Sequence, residues 1–261
     1  MFDSYEFTFA GESSAMYGVM LYEFGGTGQS PVSFGNRASI VEDRTMGRIK
    51  PLHFGVNYHG KPLEFKLVFG ALEPIDRYQM EDIAMWLTGH QDYQWLTIDQ
   101  PDLERVAYRC LITELKPLHH GWLPVAFEAS VVCDCPYAYG LPFRYQYQLS
   151  GEADVLIRND GSAREYVRPT LLYQPLEGGE LRIVNHSDGG REFRLGSLPT
   201  GALSIVIDNE NEIIRETTAG YNLYVGFNLN FFRLAQGDNR LTLSGAGALS
   251  IEGRALYNTG G

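Results

Sequence analysis

The stretch Val132-Cys133-Asp134-Cys135-Pro136-Tyr137-Ala138-Tyr139-Gly140-Leu141-Pro142 divides this chain. Pro136 and Pro142 carry no backbone donor, so no central sheet strand is expected to run through them. Composition changes across the same point. All three Trp (Trp86, Trp95, Trp122) and all four Lys (Lys50, Lys61, Lys66, Lys116) precede it, and every basic residue after it is Arg. At 261 residues the chain is long enough for two ordinary domains. The expected division is 1–138 and 139–261.

The first segment opens with an alternation: Tyr5, Phe7 and Phe9 on one side, Glu6 and Thr8 on the other. That predicts a half-buried strand ended by Gly11. Tyr17–Phe24 reads as a second strand. Phe54–Tyr58 and Leu63–Phe69 flank His59-Gly60-Lys61-Pro62 and read as a strand pair. Then the period changes. Met80, Ile83, Ala84 and Leu87 fall at i, i+3, i+4 and i+7, with Asp76 placed as N-cap and Gly89 as C-cap. The spacing predicts one helix of about three turns. Strands return at Trp95–Ile98, Val106–Leu115 and Val125–Cys133. Between the early strands, residues 27–50 are polar and irregular, with Arg37, Arg44, Arg48 and Lys50 among Ser, Thr and Gly. Basic residues on an acidic segment predict an extended arm or hairpin that grips another surface, and these four side chains are its expected contacts.

After the junction, short apolar or alternating runs recur between turn sequences such as Asn159-Asp160-Gly161, Ser187-Asp188-Gly189-Gly190 and Gly237-Asp238-Asn239. Phe227–Phe232 is read as one of these strands. The pattern predicts an all-β sandwich or jelly roll.

The chain carries a net charge of −11, with −8 on residues 1–140 and −3 on 141–261. Neither half offers the positive excess that phosphates require, which argues against nucleic acid as a partner. No run of about 18 apolar residues is present, so no membrane-spanning helix is expected. The first residues lack the basic and apolar regions of a secretion signal, so synthesis in a cytoplasm is expected. Cys110, Cys133 and Cys135 are an odd set, read as reduced thiols. No nucleophile elbow, zincin helix or Walker loop occurs. Gly25-Gly26-Thr27-Gly28 reads as a turn, and His119-His120-Gly121 as a loop whose adjacent histidines point opposite ways. Asp99, Asp102 and Glu104 lack calcium-loop spacing and read as a solvated turn. No cofactor, no metal and no catalysis are expected. Tyr221, Tyr224, Phe227, Phe231 and Phe232 sit in strand-like segments and read as core before they read as a sugar platform.

Residues across nearly the whole length resemble one family. The strand ending Val131-Val132-Cys133-Asp134-Cys135-Pro136-Tyr137-Ala138-Tyr139-Gly140 is similar to the end of the first domain of the distal tail proteins of long, non-contractile phage tails and related tail-like particles. Downstream, Asn159-Asp160-Gly161, Pro169, Leu181-Arg182-Ile183-Val184-Asn185, Ile205-Val206-Ile207-Asp208 and Leu234-Ala235-Gln236-Gly237-Asp238-Asn239 follow in the order of its galectin-like C-terminal domain. The helix ending near Trp86-Leu87, then Leu96-Thr97-Ile98-Asp99 and Tyr108, fit its N-terminal domain. Residues 27–50 match no motif of the family.

The resemblance implies a mainly β protein. Its N-terminal part would be a tail-tube-like β-sandwich or barrel with one helix, and its C-terminal part a galectin-like β-sandwich. It further implies a structural ring, usually hexameric, at the tail tip of the virion. That ring would join the tail tube protein to the tail tip or tail-associated protein. The C-terminal domain would be a docking platform for host-adsorption proteins, and whether it holds a receptor-binding protein is left open. The other reading of residues 139–261 is a carbohydrate-binding module touching the host wall, against which stands the absence of Trp there.

Overall fold

Phe7 and Phe9 turn inward from β1 (Phe7–Phe9), and their alternation sets the pattern for a computed structural model that describes residues 5–24, 39–57, 61–101, 103–176, 178–199, 204–217 and 221–258. The described chain forms two compact units. One runs to Tyr139 and takes in Tyr257; the other spans Gly140–Leu256.

In the first unit β1 is followed by β2 (Glu12–Ser13), β3 (Met20–Phe24), β4 (Ser39–Asp43), β5 (Leu52–Asn57), β6 (Glu64–Gly70), α1 (Arg77–Thr88), β7 (Gln94–Ile98), β8 (Val106–His120) and β9 (Leu123–Cys133). Antiparallel pairing gives the order β3-β6-β9-β8-β7-β1. Reciprocal backbone bonds between Tyr5 and Leu21, at 2.8 and 3.3 Å, join the two ends of that run. A sheet whose ends meet has no open edge there and curls toward a barrel. In β6, Phe65, Leu67 and Phe69 face the core while Glu64 and Lys66 face out, and Lys66 Nζ reaches Glu128 Oε1 of β9 at 2.7 Å.

The helix forms where its periodicity and caps predict it. Asp76 accepts a bond from the Gln79 amide at 2.8 Å, and Gly89 closes the last turn by donating to Met85 O. Ile83 and Leu87 are fully buried, and Met80 packs against the same core. Trp86 joins them from outside the expected stripe. Its ring stacks on Tyr17 at 4.3 Å and on Phe7 at 5.5 Å, and its Nε1 donates to Phe9 O at 3.0 Å.

Two expectations for this unit fail for local reasons. The run Tyr17–Phe24 is not one strand: Ser14–Tyr17 is a 3-10 turn capped by Ser13 and closed by Gly18 at φ 66°, and the strand starts at Met20. Phe54 does not pair with the Leu63–Phe69 run. β5 pairs with β4 instead, and β6 with β3 and β9. Without a buried face to select its neighbour, the alternation Leu52, Phe54, Val56 fits either partner.

The second unit is built from β10 (Ala138–Asn159), β11 (Thr170–Pro175), β12 (Gly179–Asn185), β13 (Arg191–Leu198), β14 (Ile205–Asp208), β15 (Ile213–Glu216) and β16 (Gly237–Tyr257). β16 pairs with β12 over Leu241–Ser244 and then with β11 over Gly247–Glu252. At the changeover Gly247 adopts φ 147°, and a side chain there would collide with Gln174 O. β10 runs through Pro142, against the expectation of a break. Leu141 and Pro142 are exposed, and a missing donor is tolerated where the backbone faces solvent.

The run Phe227–Phe232 is not a strand. A 3-10 turn, Leu223–Gly226, precedes it, and Phe227 makes only a single bridge to Leu195. Asparagines hold this segment. Asn228 accepts from the Arg194 and Asn230 amides and donates to Glu192 O, while Asn209 bonds Pro169 O and the Phe232 amide. Such side chains compete with sheet ladders for backbone groups. Asn239 is fully buried. It accepts from Ala235 N and Asn185 Nδ2 and donates to Ala235 O and Gly237 O. Asn239→Ala should therefore lower stability by about 1–3 kcal/mol, because buried donors lose their acceptor. Urea unfolding of the second unit measures this, and a change of a few tenths would contradict it.

Candidate assembly surfaces

The hairpin β4–β5 belongs to no other sheet among the described residues. Among the described residues its apolar side chains join neither buried core. Ile40, Phe54 and Leu52 are exposed, and Met46 and Ile49 at the connecting turn have fractional exposures of 101% and 102%. Phe54 is the extra residue where the register shifts between Val41/Gly55 and Glu42/His53. An isolated two-stranded hairpin is marginal in water, and one with apolar residues on both faces is suited to burial against another molecule.

Of the predicted contacts, Arg44, Arg48 and Lys50 lie on this hairpin and are exposed, whereas Arg37 lies outside the described residues. Arg44, just past the end of β4, pairs with Glu42 of that strand at 3.3 Å. The structure thus brings three of the four basic residues together. It adds an apolar content that charge pattern alone did not signal.

Other projecting features of the first unit are apolar too. Trp122, 98% exposed, sits at the tip of the β8–β9 hairpin beside Gly121 at φ 65°. Tyr78 and Met85 are exposed on α1, with acidic Glu81 and Asp82 between them. Trp122 entered the sequence reading only as composition; its exposure follows from its place after Gly121. His119 and His120 are exposed at the end of β8, and Asp99 and Glu104 are exposed, while Asp102 lies outside the described residues. Among the described residues no group of three His, Cys, Asp or Glu is placed to hold a metal ion. No described helix is long and apolar enough to cross a membrane.

On the second unit Phe227 and Phe232 are buried and Phe231 is half-buried, whereas Tyr221 and Tyr224 are exposed. Beside them Val225 is exposed, and Leu229 is exposed in the left-handed region at φ 60°. A β-carbon disfavours that conformation, so the surrounding asparagine bonds must hold it. A separate shallow groove is lined by Arg144, Gln146, Gln148, Gln174 and Ser250. Its Ser250 hydroxyl donates to Glu252 Oε1 at 3.0 Å and accepts from Arg144, which also pairs with Glu252 at 2.9 Å.

One polar cluster of the second unit has no signal in the sequence. Arg233 grips Asp188 through two bonds of 2.7 and 3.1 Å, Tyr166 donates to the same carboxylate at 3.2 Å, and the guanidinium lies 3.7 Å above the Tyr166 ring. The Arg233 bonds hold the Asp188 carboxyl below its ordinary value. A depressed folded pKa contributes stability that is complete above the unfolded value and is lost as pH falls through the folded one. The second unit should therefore lose stability below about pH 4. Asp188→Asn should flatten that part of the acid limb, as read from chemical unfolding at stepped pH. An unchanged limb would mean that other carboxylates set it.

Comparison with known proteins fits this architecture. Residues 2–135 match a family model described as a phage tail protein N-terminal domain, and residues 137–252 match one described as a phage tail C-terminal domain. The fold is similar to the crystal structure of SPP1 Dit, which is described as a paradigm of the hub adsorption apparatus in phages infecting Gram-positive bacteria. The TM-score is 0.66 over 97% of this chain and 98% of that one, at 13% identity. No curated protein sequence matches. With residues 2–135 and 137–252 matched by its two models, and a mainly β fold with one α-helix among the described residues, the chain is a member of this phage tail protein family.

Proposed function

We propose that the chain is the distal tail protein of its particle, a hexameric ring hub between the tail tube and the tail tip or baseplate. In this reading the first unit makes the ring, and the β4–β5 hairpin of each subunit lies on its neighbour. The second unit is a galectin-like platform that carries tail-associated or receptor-binding proteins, and the protein catalyses nothing. The observation that carries the proposal is the hairpin itself: Met46, Ile49 and Phe54 are fully or largely exposed on an element that, among the described residues, joins no larger sheet. Burying such a surface against a second copy removes apolar area from water, and a ring lets every copy bury one.

Charge plays a smaller part. Arg44, Arg48 and Lys50 would meet a neighbour whose first domain is strongly acidic. Exposed pairs contribute roughly 0–1 kcal/mol each and act mainly on encounter and register. Assembly should therefore weaken only partly in high salt. Sedimentation across a salt series checks this, and complete dissociation on adding salt would show that charge and not apolar burial holds the ring.

Gold-labelled antibody against the protein, viewed on virions by electron microscopy, tests the position. Label confined to the distal end of the tail is expected. Label along the tube or at the head end would overturn the hub reading. A glycan array probed with residues 140–256 tests the rival, in which that unit reads wall carbohydrate directly.

A further inference from the structure

Cys110 on β8 and Cys133 on β9 are direct cross-strand partners, and both side chains are fully buried. The pairing type follows from the bonds beside them. The Asp134 amide donates to Arg109 O at 3.0 Å, which makes Arg109 and Asp134 a hydrogen-bonded pair. The next pair inward, Cys110 and Cys133, is therefore a non-hydrogen-bonded one. The Cys133 amide accordingly donates to Leu63 O on the opposite side. In antiparallel sheets the Cα atoms of a non-hydrogen-bonded pair stand about 4.5 Å apart, with side chains closer than at hydrogen-bonded positions. That lies within the range of about 4.4–6.8 Å that a disulfide spans without backbone movement. Each of the two thiols is free.

We propose that Cys110 and Cys133 are the site of a cross-strand disulfide, formed when the particle has left the reducing cytoplasm. The setting rests on the chain being a virion tail protein; the chemistry rests on the strand register alone. Tail proteins spend the infectious stage outside cells, where disulfides persist. The oxidant is a low-molecular-weight disulfide. One cysteine, as thiolate, attacks it, forming a mixed disulfide and releasing one small thiol. The second cysteine then attacks the mixed disulfide and releases the other. Two S–H bonds and the oxidant's S–S bond break, one protein S–S bond forms, and the two protons and two electrons leave as two small thiols. Contact with Cys110, then burial, holds the Cys133 thiol well above its ordinary pKa. Reaction therefore waits on local opening of the β8–β9 pair.

Cys135 is excluded by geometry. It is half-buried, lies beyond the last residue of β9, and donates to Tyr137 O at 3.2 Å.

The test uses the full chain, first reduced and then incubated with oxidised glutathione. Remaining thiols are alkylated in denaturant. Digestion before aspartate cuts between Cys133 and Asp134 and so separates Cys133 from Cys135. Thiols titrated in denaturant should fall from three to one. The peptides carrying Cys110 and Cys133 should be linked and Cys135 alkylated, and dithiothreitol should reverse the change. A Cys135→Ser variant should form the same link. Three alkylated cysteines, glutathione held on Cys135 with the other two alkylated, or any link through Cys135 would overturn the proposal. None of these results bears on whether the protein is a tail hub.

Discussion

Trp86→Ala should cost the first unit about 3–5 kcal/mol, the range for removing a large buried aromatic side chain. The indole is 6% exposed and joins three separate segments: Tyr17 of the 3-10 turn, Phe7 and Phe9 of β1, and the helix it belongs to. Truncation opens a cavity among these rings and leaves Phe9 O without its donor. Trp86→Phe retains most of the stacking and should cost clearly less. The second unit has its own core, built on Leu171, Ile183, Phe193 and Ile251 among others. Denaturant unfolding followed by NMR should therefore show only resonances of the first unit moving to lower midpoint. A loss below about 1 kcal/mol would mean that the helix does not anchor β1 as its contacts indicate.

Deleting residues 39–57 should abolish assembly while both cores stay folded. The hairpin adds nothing to either buried cluster among the described residues. Its removal takes away the exposed Ile40, Met46, Ile49, Leu52 and Phe54 together with Arg44, Arg48 and Lys50. Replacing only Ile49 and Phe54 by Asp should have nearly the same effect, because a charge buried against an apolar partner surface is strongly unfavourable. Replacing the three basic residues by Gln should have a smaller one. Circular dichroism controls for folding, and light scattering reads the assembly state. If the charge variant were the more damaging of the two, the balance between apolar burial and charge argued above would be wrong.

These contrasts follow from what a sequence displays and what it does not. The helix was legible because both its signals are local: Asp76 and Gly89 cap it, and Ile83 and Leu87 repeat at helical spacing. Trp86 was missed as a core residue because it lies one position off that stripe, where only the position of Tyr17 and β1 brings it inside. The β4–β5 hairpin showed in the sequence only as a basic, irregular stretch, and its second strand was assigned to the wrong neighbour, since β5 has no buried face to fix its register. The segment Phe227–Phe232 has strand composition, yet asparagines remote in sequence, Asn209 among them, claim its backbone groups. The Tyr166–Asp188–Arg233 cluster and the facing pair Cys110–Cys133 depend on tertiary register alone. The odd cysteine count spoke only against a complete disulfide framework and did not single out a pair.

The central claim is that this chain closes on itself into a ring. The mass of the purified full-length protein in solution, measured by sedimentation at micromolar concentration, tests that claim most directly. The account predicts a single species at six times the 29.3 kDa of one chain, collapsing to one chain when residues 39–57 are removed. A monomer at that concentration, unchanged by the deletion, would contradict both the ring and the role of the hairpin in building it.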